Sequence, residues 1–158
     1  ARHLVKNRLY FRPDTGQLQT TIITNRGCPF HCIFCLANQV AGRINRVRSI
    51  EHILDELAEC IKAYPITNFL FRSDLFTVDF DWVHRLCEGI RLRGLKIEWA
   101  CNSRVDTISP ELLQDMKNAG CWLIAYGVES GSEDILKKVG KQATLRDAEN
   151  ALKMTRQS

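Results

Sequence analysis

Apolar residues follow two repeating patterns along the chain, one typical of strands and the other typical of helices. Short runs of β-branched and aromatic residues predict strands over residues 20–24, 68–71, 97–101 and 122–126. Between and after these runs, apolar residues recur every three or four positions, as on one buried face of a helix. This second pattern predicts helices over residues 50–63, 80–93, 110–119, 133–139 and 145–154. Strands and helices are therefore expected to alternate along most of the chain.

The ends of these helices carry residues that suit helix termini. Ser49 and Thr144 precede two of them and can accept hydrogen bonds from the free backbone N–H groups of the first turn. The triplet Ser109–Glu111 adds a proline in the first turn and a carboxylate at the positive end of the helix dipole. Gly94 and Gly120 follow two helices and suit the left-handed conformation that ends a helix. These signals indicate the helix boundaries independently of the apolar pattern.

Four strand–helix units in succession predict an α/β fold with a parallel sheet and right-handed crossovers. A complete (β/α)₈ barrel needs about 200 residues or more, whereas this chain has 158. We therefore expect a partial TIM-type barrel of about four βα units. One partial domain is expected over residues 1–158, with residues 1–18 leading into the units at 19–158. The fourth strand is then expected to have an unpaired edge, as in a barrel whose C-terminal part is missing.

The composition indicates a globular protein. Apolar residues make up 45% and charged residues 25% of the chain, and the net charge is +4, which is ordinary for a globular protein. No apolar run reaches the ~18 residues that a membrane span needs, so no membrane partner is expected. The basic stretch at Arg43, Arg46 and Arg48 is interpreted as a solvated loop. A nucleic-acid partner is therefore not predicted.

The chain has seven cysteines, of which three are clustered and four stand singly in apolar surroundings. An odd number in this arrangement does not fit the disulfide framework of a secreted protein. The sequence also shows no export signal. We therefore predict a cytoplasmic protein whose thiols are free or bind metal.

The clustered cysteines form one motif directly after the first predicted strand. They are Cys28, Cys32 and Cys35, at the spacing C-x₃-C-x₂-C. Iron–sulfur clusters are held by cysteine thiolates, and a four-iron cluster usually takes four of them. With three ligands one iron keeps an open coordination position, which chemistry at a metal requires. A structural zinc site, with His31 or a distant cysteine as the fourth ligand, has the same local spacing and is the alternative.

The motif resembles the cluster-binding loop of the radical S-adenosylmethionine (SAM) superfamily, including an aromatic residue, Phe34, before the last cysteine. Other segments extend this resemblance along nearly the whole chain and resemble most the cobalamin-associated branch of the superfamily. These segments are Arg26–Phe30, Arg48-Ser49, Phe76-Thr77, Asn102–Asp106 and Gly127–Gly131. The resemblance implies a partial radical SAM barrel whose site lies at the carboxyl ends of the strands.

The resemblance also implies roles for the residues of the motif. Cys28, Cys32 and Cys35 would ligate three irons of a [4Fe–4S] cluster, and SAM would bind the fourth iron. One electron from the cluster would cleave SAM to methionine and a 5′-deoxyadenosyl radical, which abstracts hydrogen from substrate. Phe34 would lie against the adenine of SAM. The resemblance identifies no catalytic residue beyond these cofactor contacts.

Polar residues after the other strands would hold SAM. Ser73 and Asp74 follow the second strand, where many members have a Gly-Gly-Glu-type segment for the methionine amino group. Arg104 follows the third strand and would bind the methionine carboxylate bidentately. Glu129 and Ser130 follow the fourth strand and would accept hydrogen bonds from ribose hydroxyls or the SAM ammonium. Each of three residues also has a structural alternative: an ion pair of Arg104 with Asp106, a cap by Glu129 on the helix that begins near Ser132, and a cap by Asp74 on the loop that follows it.

The sequence thus predicts an enzyme that uses SAM cleavage for methyl transfer to, or rearrangement of, a small-molecule substrate. The resemblance implies an electron donor such as flavodoxin or ferredoxin, and allows cobalamin to be supplied by a domain outside this chain. Two alternatives are a methylthiotransferase-type radical SAM enzyme and a non-catalytic iron–sulfur or zinc binding module. We expect the 158 residues alone to bind a cluster poorly and to be inactive.

Overall fold

The computed structural model describes residues 2–158, in which strands and helices alternate. The strands are β1 (Gln19–Ile23), β2 (Asn25–Arg26), β3 (Arg46–Val47), β4 (Asn68–Arg72), β5 (Glu98–Arg104) and β6 (Cys121–Gly127). The helices are α1 (Ala37–Val40), α2 (Ile50–Ala63), α3 (Phe80–Leu92), α4 (Pro110–Asn118), α5 (Glu133–Lys138) and α6 (Leu145–Gln157). Short 3₁₀ turns lie at Arg2–Leu4, Asn7–Leu9 and Phe76–Val78. The predicted α/β fold is confirmed.

The main sheet has four parallel strands in the order β1-β4-β5-β6. Because the strands are parallel, their carboxyl ends meet at one edge of the sheet. β5 runs further than predicted, since Asn102, Ser103 and Arg104 continue its pairing with β6. These polar residues lack the apolar pattern of a strand, yet the pairing extends them to the carboxyl edge, where a barrel site lies.

The core lies between the main sheet and helices α2, α3 and α4. Trp99 of β5 is fully buried and stacks on Phe71, with ring centroids 4.7 Å apart. Trp122, by contrast, is 41% exposed on the edge strand β6. The guanidinium carbon of Arg12 lies 3.7 Å from the centroid of the Trp122 ring. One side of the sheet is thus closely packed, while β6 forms one of its edges.

The cysteines outside the motif are mostly core residues. Cys60, Cys87 and Cys101 are buried among apolar side chains. Burial raises the pKa of each of these three thiols, so they stay neutral and pack as small apolar groups. Cys121 is half-buried.

A second, two-stranded sheet closes the long cysteine loop, and the sequence did not predict it. Asn25 pairs with Val47, and Arg26 pairs with Arg46, in antiparallel register. Strands of two residues carry no periodicity, because a period needs several residues on each face. The pairing of β2 with β3 holds the two ends of the loop together.

The helix ends agree with the predicted signals. Ser49 and Ser109 each accept a hydrogen bond from a backbone N–H in the first turn of α2 and α4. Thr144 forms a capping box with Asp147 at the start of α6, and hydrogen bonds from Thr144 lower the pKa of Asp147. Within residues 2–158, none of the helices has the length and apolar character needed to cross a membrane.

Candidate functional site

A cavity of about 380 Å³ opens where the carboxyl ends of the strands meet. The cysteine loop contributes Cys28, Phe30, Cys32, Phe34, Cys35 and Asn38 to its lining. The strand ends and the segments after them contribute Asp74, Leu75, Asn102, Ser103, Arg104, Ala125, Tyr126, Gly127, Glu129 and Lys141. The cavity therefore joins the predicted metal-binding motif to the predicted cofactor-binding edge of the sheet.

The three motif cysteines face this cavity as free thiols. Cys28 and Cys32 are half-buried and Cys35 is exposed, and burial raises the pKa of the Cys28 thiol. Across residues 2–158, no three Cys, His, Asp or Glu side chains converge closely enough to hold a single metal ion. His31, the alternative zinc ligand, is exposed.

The start of the cysteine loop is held by backbone contacts around Gly27. Gly27 has φ +94°, and its N–H donates to Oδ2 of Asp74 at 2.6 Å. The next N–H, of Cys28, donates to the carbonyl oxygen of Gly42 at 3.1 Å. A Cβ at Gly27 would lie 2.0 Å from the carbonyl oxygen of Ile44, so the loop closes here only around a glycine. Asp74 therefore anchors the loop with one oxygen while it lines the cavity.

The middle of the loop is held by the segment between α5 and α6. The N–H of Ile33 donates to the carbonyl oxygen of Val139 at 3.0 Å. Gly140 has φ +67°, and a Cβ there would lie 3.1 Å from the carbonyl oxygen of His31. Contacts from two separate parts of the chain therefore give the three thiols a defined position.

Arg104 connects the end of β5 to the cysteine loop. Its side chain is only 6% exposed. Nε and Nη2 donate to the two carboxylate oxygens of Asp106 at 2.8 and 2.6 Å, and Nη2 also donates to the carbonyl oxygen of Lys141 at 2.6 Å. Nη1 lies 3.6 Å from Sγ of Cys32, and the guanidinium carbon lies 3.7 Å from the centroid of the Phe30 ring.

These contacts bear on the predicted role of Arg104 as a ligand of the methionine carboxylate. A bidentate carboxylate contact requires two parallel N–H groups, and Asp106 occupies that pair on Arg104. In this structure the bidentate partner of Arg104 is therefore Asp106, and the contact with the methionine carboxylate of SAM stays a prediction. Arg104 lies at the strand end, as predicted, and it forms the ion pair with Asp106 that is the alternative interpretation of this residue.

A partly buried ion pair also lines the cavity. The side chain of Lys141 is 6% exposed, and its Nζ lies 3.0 Å from Oε1 of Glu129. Glu129 has φ +71°. A Cβ at Gly127 would lie 2.5 Å from Oε1 of Glu129 and 3.1 Å from Nζ of Lys141, so glycine at this position makes room for the pair. An ammonium group has three donors, which allows Lys141 to serve a ligand as well as Glu129.

Comparison with known proteins identifies the family. A model of the radical SAM superfamily matches residues 22–158. The chain belongs to the radical SAM superfamily. The matched residues include the cysteine loop and all the strand ends that line the cavity.

Several relatives within the radical SAM superfamily are named as methyltransferases. An uncharacterized methyltransferase of Pyrococcus horikoshii is 34% identical over 132 residues, which cover 84% of this chain and 29% of the relative. The cytidylyl-2-hydroxyethylphosphonate methyltransferase of Streptomyces wedmorensis is 29% identical, with 85% and 26% covered. A putative methylthiotransferase of Methanocaldococcus jannaschii is 28% identical, with 85% and 32% covered. The chain thus spans about a third or less of the length of these curated relatives.

Solved radical SAM structures share the fold. The methyltransferase TsrM of Kitasatospora setae, solved with cobalamin and a [4Fe–4S] cluster, matches with a TM-score of 0.77 and 19% identity over 90% of this chain and 29% of TsrM. The cobalamin-dependent enzyme OxsB, solved with aqua-cobalamin and SAM, matches with a TM-score of 0.74 and 25% identity over 90% of this chain and 22% of OxsB. These comparisons confirm the predicted partial radical SAM barrel and the likeness to the cobalamin-associated branch.

The structure brings most of the predicted radical SAM residues to one cavity, but two lie outside its lining. Ser73 donates through Oγ to Oδ1 of Asn102 at 2.8 Å, and it is Asn102 that lines the cavity. Ser130 accepts through Oγ from the N–H of Ser132 at 3.1 Å, a turn contact before α5. Both serines therefore hold neighbouring protein groups, and their predicted contacts with SAM stay predictions.

Several residues that line the cavity were not predicted as site residues, and Lys141 and Asn102 are two polar examples. Lys141 lies between α5 and α6, 12 residues after its partner Glu129, in a segment without a recognisable motif. Asn102 lies inside a segment that resembles the family, and its polar character at the end of a buried strand was the available signal.

Proposed function

We propose that this chain forms the cofactor-binding part of a radical SAM enzyme that acts on a small-molecule substrate by methyl transfer or rearrangement. The observation that carries the proposal is a single cavity, at the carboxyl edge of a parallel sheet, lined by three free thiols and a partly buried ion pair. Membership of the superfamily over residues 22–158 supports the same chemistry. When bound, the cluster supplies the electron that splits SAM into methionine and a 5′-deoxyadenosyl radical.

The donor set of the cavity fits a [4Fe–4S] cluster. Cys28, Cys32 and Cys35 would each hold one iron through a thiolate. Within the described part of the chain, no fourth cysteine lines the cavity. One iron would therefore be left for the amino and carboxylate groups of SAM. Asp74 and Gly27 would keep the loop in place during this binding, because their hydrogen bond closes its first turn.

Other lining residues suit the parts of SAM. Lys141 would pair with the methionine carboxylate, since its ammonium is nearly buried and faces the cavity. Asp74 and Glu129 would accept hydrogen bonds from the SAM ammonium or the ribose hydroxyls. Phe34, half exposed in the cavity lining, offers an aromatic face for the adenine. These residues would bind and orient SAM.

Lys141→Met is expected to weaken SAM binding by about 30-fold or more, because it removes the ammonium that would pair with the methionine carboxylate. Truncating one partner of a buried charge pair costs roughly 2–5 kcal/mol. The measurement is the Kd for SAM in reconstituted full-length protein, at matched iron content. Lys138→Met is the control, since Lys138 is exposed on α5 and does not line the cavity. Equal SAM affinities in the two variants would remove Lys141 from the proposed site.

The remaining parts of the proposal concern the whole protein. Relatives named as methyltransferases, together with OxsB solved with aqua-cobalamin, support methyl transfer assisted by cobalamin that is bound outside this chain. Reduction of the cluster needs a one-electron donor, for which we propose flavodoxin or ferredoxin. The seven cysteines are all free thiols, which suits a reducing compartment such as the cytoplasm.

A methylthiotransferase is the second candidate function, and the relative in Methanocaldococcus jannaschii with that name favours it. It shares the cluster and SAM site and differs in the group that reaches the product. Product analysis separates the two, because a methylthiotransferase adds sulfur together with the methyl group.

The proposal is tested by anaerobic reconstitution of the full-length protein with iron and sulfide. We expect about four irons per chain, followed by formation of 5′-deoxyadenosine when dithionite and SAM are added. Zinc bound tightly in place of iron and sulfide would contradict the proposal. A stable cluster that neither binds nor cleaves SAM would instead favour the non-catalytic module.

A further inference from the structure

Arg104 is held in one orientation by groups that belong to the protein. Asp106 takes the Nε–Nη2 edge, and the carbonyl oxygen of Lys141 takes another Nη2 hydrogen. Phe30 covers one face of the guanidinium. Of the five N–H groups that a guanidinium carries, three are thus used by protein oxygens. The two that remain are on Nη1.

Nη1 faces a proposed cluster ligand. It lies 3.6 Å from Sγ of Cys32, and a thiolate accepts a charge-assisted hydrogen bond more strongly than a neutral thiol does. The side chain of Arg104 is 6% exposed, and buried charges are screened little by salt. Both the N–H donor and the positive charge of Arg104 therefore act on the ligand sulfur.

We propose that Arg104 is a positioning residue that holds the cysteine loop and raises the reduction potential of the cluster, rather than a ligand of the SAM carboxylate. This inference rests on the proposed function. Reduction adds negative charge to a cluster, and its potential depends on net charge and on hydrogen bonds to its sulfurs. A donor and a cation beside Cys32 stabilise the reduced form more than the oxidised form, and so raise the potential.

The contacts of Arg104 with the protein have two different effects. The stacking of Arg104 on Phe30 and the hydrogen bond to the Lys141 carbonyl fix where the loop lies. The Nη1 contact with Cys32 acts on the charge of the cluster. Asp106 supports both the position of the loop and the contact with Cys32, because it fixes the plane of the guanidinium through two hydrogen bonds.

The test is a redox titration of the cluster in full-length protein without SAM, in which electron paramagnetic resonance measures the fraction of reduced cluster at each potential. Arg104→Met is expected to shift the midpoint potential to a more negative value, because it removes both the donor and the charge. Arg104→Lys is expected to recover part of that shift, because it keeps the charge. Arg91→Met is the matched control and is expected to keep the wild-type potential, since Arg91 is exposed on α3.

Omitting SAM separates the two roles of Arg104. A residue that only binds the SAM carboxylate leaves the potential of a SAM-free cluster unchanged. An Arg104→Met protein with full iron content and the wild-type SAM-free potential would therefore overturn the inference, and a weaker SAM affinity in that protein would restore the original assignment.

Loss of the cluster from Arg104→Met does not end the test. Arg104→Gln keeps an amide N–H donor but loses the charge, and the potential of its cluster is then measured without SAM. A shift to a more negative potential supports the inference, and an unchanged potential overturns it. If the wild-type protein assembles no cluster, the proposed function fails, and this inference fails with it before any variant is compared.

Discussion

Cys32→Ala is expected to lose most of its cluster iron and all measurable formation of 5′-deoxyadenosine. The site has no spare thiolate, because no fourth cysteine lines the cavity within residues 2–158. Loss of an outer-shell partner alone weakens metal binding by about 10–100-fold, and loss of a direct ligand weakens it further. The change also removes the sulfur that lies 3.6 Å from Nη1 of Arg104. Iron and sulfide per chain, and the nucleoside formed after reduction, measure the effect.

Cys121→Ala is the matched control for this experiment. Cys121 is half-buried, as Cys32 is, but it lies outside the cavity lining. The control is expected to keep its cluster and its SAM cleavage. A Cys32→Ala protein that retained both would show that the motif does not hold the cluster, whatever the Cys121→Ala protein did.

Helix α2 shows why much of the fold could be predicted from the sequence. Ser49 caps it, and Ile53, Leu54 and Leu57 are buried on one face, as a period of 3.6 residues requires. The predicted bounds, 50–63, agree with the observed bounds, Ile50–Ala63. Capping and periodicity depend on residues that are neighbours in the sequence, so a single chain carries the information.

The site was predictable only in outline, because its side-chain pairing depends on residues distant in the sequence. Arg104 contacts Cys32 and the Lys141 carbonyl, which are 72 and 37 residues away. The Lys141–Glu129 pair depends on the positive φ of Glu129 and on space at Gly127. The sequence can place polar residues at strand ends, since a parallel sheet brings those ends together. It does not show that Lys141 meets Glu129 or that Arg104 reaches Cys32.

These pairings distinguish the two cations that line the cavity, Arg104 and Lys141. The Asp106 carboxylate takes the bidentate edge of Arg104, and Arg104 then turns Nη1 toward the cysteine loop. Lys141 has only the half-exposed Glu129 as its carboxylate partner in the structure. On the proposed function, Arg104, buried against the loop, would act on the cluster, and Lys141 of the ion pair would bind the methionine carboxylate of SAM.

Gly27→Ala is expected to prevent cluster assembly almost completely, although it removes no ligand. The new Cβ would lie 2.0 Å from the carbonyl oxygen of Ile44, so the backbone has to move. That movement breaks the hydrogen bond from Gly27 N–H to Asp74 and displaces Cys28, the next residue, from the cavity. The core between the sheet and its helices contains no residue of this loop. We therefore expect a wild-type circular dichroism spectrum together with a large loss of bound iron.

Gly16→Ala separates the close contact from the backbone strain. Gly16 also has a positive φ, +71°, but a Cβ there would meet nothing within 4 Å. An L-residue with a positive φ is strained by about 1–2 kcal/mol in the left-handed region, and both variants place alanine at a positive φ. Gly16→Ala is therefore expected to be slightly less stable and to bind its cluster fully. If both variants assembled the cluster equally well, the packing of Gly27 against Ile44 would not be what holds the cysteine loop in place. If both lost it, strain or general instability, rather than the contact at Ile44, would be the cause.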